Sequence, residues 1–308
     1  MRIEYAIIVR NKTRLEALTE RFNTRAQARF YIESSGGNFA DYETEHHNFH
    51  ESLSVVQRRL SGVIKNKIIE RSFLPSFLFS GNHLIIVIGQ DGLVANTAKY
   101  VNGLPILAIN PDEARYDGVL LPFNAKNFLE GVEKVLANKY SASITTLAEA
   151  RLNDGQRLLA FNDLFIGAAS HVSARYKISF QDKSEEHSSS GIIVSTQAGS
   201  TGWLSSVFNM NHGLNKFMKS YEKQKNIVQL EDAELMFAVR EPFASKKTQT
   251  GLTAGILSQT TMLTVESLMP VNGVIFSDGV EADFLKFNSG AIATISTAEE
   301  TARLVQRQ

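Results

Sequence analysis

Leu84-Ile85-Ile86-Val87-Ile88-Gly89-Gln90-Asp91-Gly92-Leu93, followed by Pro105-Ile106-Leu107-Ala108-Ile109, is the stretch that decides the fold. Leu84–Ile88 is an unbroken apolar run bounded by polar and Gly signals, the pattern of a strand buried on both faces of a parallel sheet. Val94–Val101 has helical character and stops at Asn102-Gly103, a pair that suits a helix C-terminus. Pro105–Ile109 is the next strand, so the segment predicts a βαβ unit. Working outward, Tyr5–Val9 is a strand candidate, and Lys12–Phe22 and Thr24–Ser34 read as helices. Glu51–Arg71 reads as an amphipathic helix, with Leu53, Val56, Leu60, Val63 and Ile64 on one side.

The pattern changes after about residue 140. Leu158–Ile166, Ala174–Phe180, Gly191–Ser195, Leu235–Val239, Met262–Ser267, Gly273–Phe276 and Ala291–Ser296 are short alternating segments separated by Gly, Ser, Asn and Asp. Many short strands at such spacing predict an antiparallel β domain. Thr297–Gln308 reads as a helix, with Thr297 as N-cap and Glu299-Glu300 in its first turn. The expected organisation is an α/β domain over residues 1–138, completed by a returning segment 298–308, and a β-rich domain over 139–297.

Composition narrows the function. The 308 residues contain 43% hydrophobic and 21% charged side chains, enough for packed cores. Lys+Arg and Asp+Glu both total 32, which argues against a broad nucleic-acid or anionic-membrane surface while leaving room for a local basic pocket. With no cysteine, thiolate metal sites, iron–sulfur clusters and cysteine nucleophiles are all excluded. The N-terminal residues lack the apolar core of a targeting peptide, and no run approaches the roughly 20 apolar residues of a membrane span. The expectation is a cytoplasmic protein with no membrane or nucleic-acid partner.

Three segments carry candidate chemistry. Gly89-Gln90-Asp91-Gly92-Leu93 follows a buried strand and precedes a helix, a place where the backbone amides of a Gly-bearing turn can hold phosphate. A carboxylate there suits proton abstraction from a hydroxyl or help in holding Mg²⁺; the structural alternative is a tight turn in which Asp91 caps the helix. Phe161-Asn162-Asp163-Leu164 offers donors and acceptors for a ribose edge, or forms an Asx turn. Ser195-Thr196-Gln197-Ala198-Gly199-Ser200-Thr201-Gly202-Trp203 allows a planar ligand close to the backbone, or is a ligand-free small-residue loop.

In that order and at about that separation, Gly89–Leu93, Asn162-Asp163 and Gly199-Ser200-Thr201 resemble the Gly-Gly-Asp-Gly-Thr, Asn-Glu/Asp and Gly-Ser/Thr-Thr motifs of the NAD kinase family. Further likeness, closest to the mitochondrial-type branch, lies in Pro105–Asp112, Phe165-Ile166-Gly167, Ser173–Tyr176, Ser189-Ser190-Gly191, Arg240-Glu241-Pro242, Asp278-Gly279 and Phe287–Ala293. The resemblance implies the NAD kinase/diacylglycerol kinase-like fold, α/β plus all-β: a Rossmann-like N-terminal α/β domain and a C-terminal β-sandwich-like domain. It implies transfer of a phosphoryl group from ATP, or polyphosphate, to the 2′-hydroxyl of NAD, in a homodimer or homotetramer. By the same resemblance Asp91 is the catalytic residue and an indirect Mg²⁺ partner, and Gly89 and Gly92 bind phosphate. Asn162, Asp163, Thr196, Ser200 and Thr201 bind the dinucleotide, and Arg175 is the candidate cation near the site.

The chain also departs from the family pattern. Gln90 stands where the family has its second Gly, and a left-handed backbone there would cost a Gln roughly 1–2 kcal/mol. Leu93 replaces the motif Thr, Gln197 a Pro, and Trp203 a Tyr, while Ser188 and Ser190 stand where many bacterial members carry a charged pair. A homologue that binds NAD(P) without turnover, and a lipid or sugar kinase of the same superfamily, are the alternatives.

Outside these motifs, His46 and His50 lie four residues apart and would share a helix face suited to Zn²⁺. No third ligand follows at a recognisable spacing, so a solvated face is preferred. Arg58, Arg59, Lys65, Lys67 and Arg71 read as the solvated basic face of the Glu51–Arg71 helix, and Lys246-Lys247 as an exposed loop. No Gly-x-Ser-x-Gly elbow points to hydrolase chemistry.

Overall fold

The structure is a computed structural model that describes residues 3–218 and 229–307. The chain divides into two compact units, Met1–Ile144 with Arg303–Gln308, and Thr145–Ala302.

The first unit runs β1 (Tyr5–Arg10), α1 (Arg14–Phe22), α2 (Arg25–Ser34), α3 (Phe39–Ser61), β2 (Lys65–Glu70), β3 (His83–Ile88), α4 (Asp91–Ala98), β4 (Pro105–Asn110), β5 (Phe123–Asn124) and α5 (Phe128–Leu136). Its sheet has the order β4-β3-β1-β2, every pair parallel. The outer edge of β4 pairs with Arg303 and Leu304 at one end and with β5 at the other. Leu84, Ile86 and Ile88 of β3 pack with Ile8, Leu107, Phe128 and the α3 residues Val56 and Leu60. Each such side chain contributes about 1.5–3 kcal/mol of transfer free energy. The helices start where their caps dictate. Thr13 accepts from the Glu16 N–H at 3.2 Å while Glu16 Oε2 accepts from the Thr13 N–H at 2.8 Å, a reciprocal capping box. The Asn38 side chain accepts from the Ala40 N–H at 3.0 Å and opens α3.

The second unit contains β6 (Ala142–Leu152), β7 (Arg157–Ala160), β8 (Asp163–Ala168), β9 (Ala174–Phe180), β10 (Lys183–Ser189), β11 (Ile192–Thr196), α6 (Trp203–Phe217), β12 (Leu235–Val239), β13 (Ala254–Leu257), β14 (Leu263–Ser267), β15 (Gly273–Ser277), β16 (Val280–Lys286) and β17 (Ile292–Val305). One of its layers has the order β10-β9-β14-β17, with β6 on β17 and β7 on β6; the other is β13-β12-β11-β8-β15-β16. Tyr176, Ile178 and Val265 from the first layer meet Leu164, Val194, Phe237 and Ile275 from the second in one buried core. Alternating burial along Ala174–Phe180 is the period-2 signature of a strand with one buried face.

Three expected elements differ in the structure. The Glu51–Arg71 helix is instead α3, which begins at Phe39 and ends at Ser61, because Lys65–Glu70 pairs in parallel register with β1 as an edge strand. Over Thr297–Arg307 the expected helix is absent, and Gln308 lies outside the described residues: β17 continues to Val305, and the Glu300 carboxylate, read as a first-turn acid, is paired with Arg157 at 2.8 Å. Leu158–Ile166 is two strands, β7 and β8, separated at Phe161-Asn162. Among the described residues no helix is long and apolar enough to cross a membrane.

Candidate active site

In the first unit the loops after β1, β2, β3 and β4 all reach one cavity of about 310 Å³. Asn11–Arg14 come from the end of β1, Arg71 from the end of β2, Gly89, Gln90, Gly92 and Leu93 from the end of β3, and Pro111, Asp112 and Tyr116 from the end of β4. This is where open parallel sheets place ligands. The N–H groups of Gln90, Asp91 and Gly92, at the start of α4, find no acceptor among the described residues, as expected for a helix N-terminus. Lys12, Arg14 and Arg71 add positive charge to the cavity wall. Arg14 is paired with Glu45 and Lys12 with Glu20 at 2.7 Å, whereas Arg71 has no carboxylate partner among the described residues.

The turn itself is unstrained. Gln90 has φ −109° and ψ 165°, ordinary extended backbone, so the left-handed cost anticipated for a Gln here does not arise. Its side chain lies beside Tyr116 on the cavity wall. Leu93 is buried, and its Cδ2 lies 2.9 Å from where a Cβ on Gly89 would stand, so the residue that replaces the motif Thr packs over the first glycine. Gly92 has open space where a Cβ would project. Asp91 does not line the cavity: its Oδ1 accepts from the Leu120 N–H at 2.8 Å and its Oδ2 from the Val119 N–H at 3.3 Å. Neither bond is a helix cap; both hold the 119–120 loop.

In the second unit the Asn162-Asp163 and Ser195–Trp203 segments come together. Thr196 Oγ1 donates to Phe161 O at 2.6 Å and accepts from the Gly199 N–H at 3.2 Å, while the Thr196 N–H donates to Asn162 O at 2.9 Å. Gly199 is required here, since a Cβ would sit 2.1 Å from Asn162 O. Ser200 Oγ donates to Gln197 O at 2.7 Å, and Thr201 is exposed. The hydroxyls of Thr196 and Ser200 are thus engaged in shaping the loop, whereas the Asn162 side chain has no hydrogen bond among the described residues.

Asp278, in the turn between β15 and β16, organises this region. Its carboxylate accepts from the backbone N–H groups of Phe161 at 3.0 Å, Asn162 at 2.6 Å and Asp163 at 3.3 Å. Burial, followed by the Asp278 charge, pushes the Asp163 carboxyl up to about 6. Sequence reasoning noted Asp278-Gly279 without a role. Its only signal was the Asp-Gly pair, which here takes φ values of 53° and 67°, the hairpin-turn geometry.

A cavity of about 600 Å³ opens beside these segments, within the range of small-molecule sites. Trp203 stacks on Phe165 with centroids 5.6 Å apart and an 11° interplanar angle, and the Arg240 guanidinium stands 5.4 Å from the Trp203 centroid. Phe276, Phe284, His171 and Glu281 complete much of the wall. Arg175 is on β9, in the other layer, exposed, and not part of this wall; the cation there is Arg240.

No protein-family model matches the chain. Two curated proteins do. The NAD kinase of Prosthecochloris aestuarii is 32% identical over 141 residues, 44% of this chain and 48% of that protein. The NAD kinase of Heliobacterium modesticaldum is 29% identical over 128 residues, 39% of this chain and 44% of that protein. Over these stretches the chain is similar to NAD kinases. Its matches span about half the length, or less, of these NAD kinases. Solved structures agree on the fold. Yeast NADH kinase complexed with NADH has a TM-score of 0.61 at 13% identity, covering 100% of this chain and 84% of that one. The NAD kinase of Archaeoglobus fulgidus in complex with ATP has a TM-score of 0.55 at 15% identity, covering 99% and 94%. The NAD kinase fold is therefore common to all of the described chain, the α/β unit and the β sandwich alike.

Proposed function

We propose that this chain is a phosphotransferase that moves the γ-phosphoryl group of ATP, or of polyphosphate, to the 2′-hydroxyl of an NAD-type dinucleotide. The observation that carries this reading is the Gly89–Gly92 turn. Unpaired amides at the start of α4 face a cavity with Lys12, Arg14 and Arg71 on its wall, at the carboxyl ends of parallel strands. Phosphoryl transfer asks the protein mainly for positioning and charge neutralisation, and this arrangement offers both. Gly92 leaves open space for phosphate, and Gly89 lines the same cavity. Asp91 takes the proton of the attacking hydroxyl as the new O–P bond forms and the bond to the ADP leaving group breaks.

The Asp91 carboxylate, fixed by two backbone N–H donors, retains lone pairs and is a hard oxygen donor, so it fits a Mg²⁺ ion that keeps several waters. When bound, Mg²⁺ supplies charge neutralisation on the transferred phosphates. Asn162, with an uncommitted side chain, and Asp163 bind a ribose hydroxyl. Thr196, Ser200 and Thr201 shape and line the dinucleotide pocket, and Trp203 with Arg240 receives a planar base. A cytoplasmic homo-oligomer belongs to the same reading.

The test is formation of NADP⁺ or NADPH by the pure chain from NAD⁺ or NADH with Mg²⁺ and ATP or polyphosphate. Asp91→Asn is expected to lower turnover about 10²- to 10⁴-fold with the fold retained. Wild-type turnover in the folded variant removes Asp91 from the mechanism. A second reading, a dinucleotide-binding homologue without turnover, is favoured by the engagement of Asp91 with Val119 and Leu120 and by Leu93 packing over Gly89. Calorimetric binding of NAD(H) or NADP(H) with no product from any donor would establish it. Product on lipid or sugar acceptors, and none on dinucleotides, would establish the third alternative.

A further inference from the structure

His46 and His50 lie one turn apart on α3, their ring centroids 4.3 Å apart, and both face α1. There the structure supplies the donor that sequence spacing did not reveal. Glu16 Oε1 of α1 is 3.1 Å from His50 Nε2, and one ligand atom from each of Glu16, His46 and His50 lies within 4.8 Å of the other two. Among the described residues this is the one group of three or more His, Cys, Asp or Glu side chains so arranged.

The three side chains are held before any ligand arrives. Glu16 is fixed by the capping box, its Oε2 accepting from the Thr13 N–H. His46 Nδ1 is 2.9 Å from Thr13 Oγ1, which orients the ring. Arg10 also contacts Glu16 Oε1, at 3.1 Å, and is shared with Glu70 at 3.0 Å, so it keeps a carboxylate partner if Glu16 turns to another cation. All three donors are half-buried, and Glu16 and His46 line a surface pocket, so an ion has a way in.

We propose that Glu16, His46 and His50 form a binding site for a divalent cation of the zinc class, with water completing the shell. Two imidazoles and one carboxylate are a donor set that Zn²⁺ and its transition-metal neighbours accept and Mg²⁺ does not favour. Tetrahedral zinc ligands stand about 3.4 Å from one another, given bonds of about 2.0–2.2 Å. The Glu16–His50 pair is already near that spacing, and rotation of the His46 side chain closes the remainder. Occupancy would clip α1 to α3 directly behind Thr13, whose opposite side lines the cavity at the Gly89–Gly92 turn. The site is independent of the phosphotransfer reading.

The experiment uses the full chain without a histidine tag, stripped with a chelator and titrated with Co²⁺ and Zn²⁺. One equivalent of Co²⁺ is expected to bind with visible absorption, to be displaced by Zn²⁺, and to survive millimolar Mg²⁺. His46→Gln and His50→Gln are each expected to weaken Zn²⁺ at least tenfold. Glu16→Gln, which keeps the capping box because Gln serves at that position, is expected to weaken it as well. His47→Gln, on an exposed face of the same helix, should leave affinity unchanged. No bound ion, or equal affinity in all three triad variants, overturns the proposal. A triad variant that does not fold is replaced as a probe by the wild-type Co²⁺ spectrum, and a fully hydrated octahedral spectrum also overturns it.

Discussion

The carboxylate of Asp278 accepts the backbone N–H of Asn162 at 2.6 Å, across 116 residues of sequence. With Phe161 and Asp163 it completes a cage of three amides around one acceptor, so the geometry of the Asn–Asp pair is imposed from the β15–β16 turn. Asp278→Ala removes that acceptor and leaves three backbone donors competing for water. A loss of about 2–4 kcal/mol is expected in the stability of the β sandwich, with weaker dinucleotide binding. Denaturant unfolding followed by fluorescence checks it, and Trp203, the sole tryptophan, makes the signal local. A change under about 0.5 kcal/mol would show that the cage is ornamental.

Asp163 sets a pH dependence of known sign. Its folded value, about 6, lies above the ordinary 3.8, so the native state binds the proton more tightly than the unfolded chain. The stabilisation this gives is complete below pH 3.8 and is lost as pH rises through about 6. Asp163→Asn does not ionise and escapes the loss. The stability difference, variant minus wild type, should therefore grow between pH 4 and pH 7 by up to about 3 kcal/mol. A difference that stays flat across that interval contradicts the assignment.

Two glycines should respond in opposite directions. Gly199→Ala forces a Cβ against the Asn162 carbonyl and is expected to cost about 2–3 kcal/mol and to displace the Asn162-Asp163 turn. Gly213→Ala, in α6 with open space around the new methyl, is expected to stabilise by about 0.5–1 kcal/mol. Parallel melts of the two variants test the pair, and equal shifts would remove the close-approach argument.

Arg240 and Trp203 form the most distinctive wall of the larger cavity. Arg240→Gln keeps a polar side chain but removes the cation near the indole, and should weaken binding of an adenine-containing dinucleotide about three- to tenfold. Trp203→Ala should weaken it more, because the aromatic surface itself is lost. Isothermal titration with NAD⁺ and NADH decides; undiminished affinity in both variants places the base elsewhere.

What could be read from the residues alone follows a physical divide. Leu84–Ile88 was legible because a strand buried on both faces has no polar residue to confuse its pattern, and Ala174–Phe180 because alternation marks a one-sided strand. Thr297–Val305 was misread because Thr followed by Glu-Glu mimics a helix start. Its true partner, Arg157, lies 143 residues away from Glu300. Lys65–Glu70 failed for the complementary reason: an edge strand with lysines at exposed positions looks like the polar face of a helix. At the site, the Gly89–Gly92 and Asn162-Asp163 motifs were visible as local chemistry. The contributions of Asp278, Arg240 and Arg71 were not, because each acts on residues that only the folded sheets bring near. The same holds for Glu16, 34 residues from His50.

β17 ends by laying Arg303 and Leu304 along β4, after the whole of Thr145–Ala302 has been traversed. On the ribosome this reverses the usual order of completion. The sandwich can finish while the α/β unit, begun first, still waits for its last strand to emerge. A stop codon after Ala302 would spare every residue of the sandwich and leave the outer edge of β4 without its C-terminal neighbour. Arg303 and Leu304 thus stitch closed a unit whose other strands were made before residue 145, and a truncation after Ala302 would strike that α/β unit rather than the sandwich it follows.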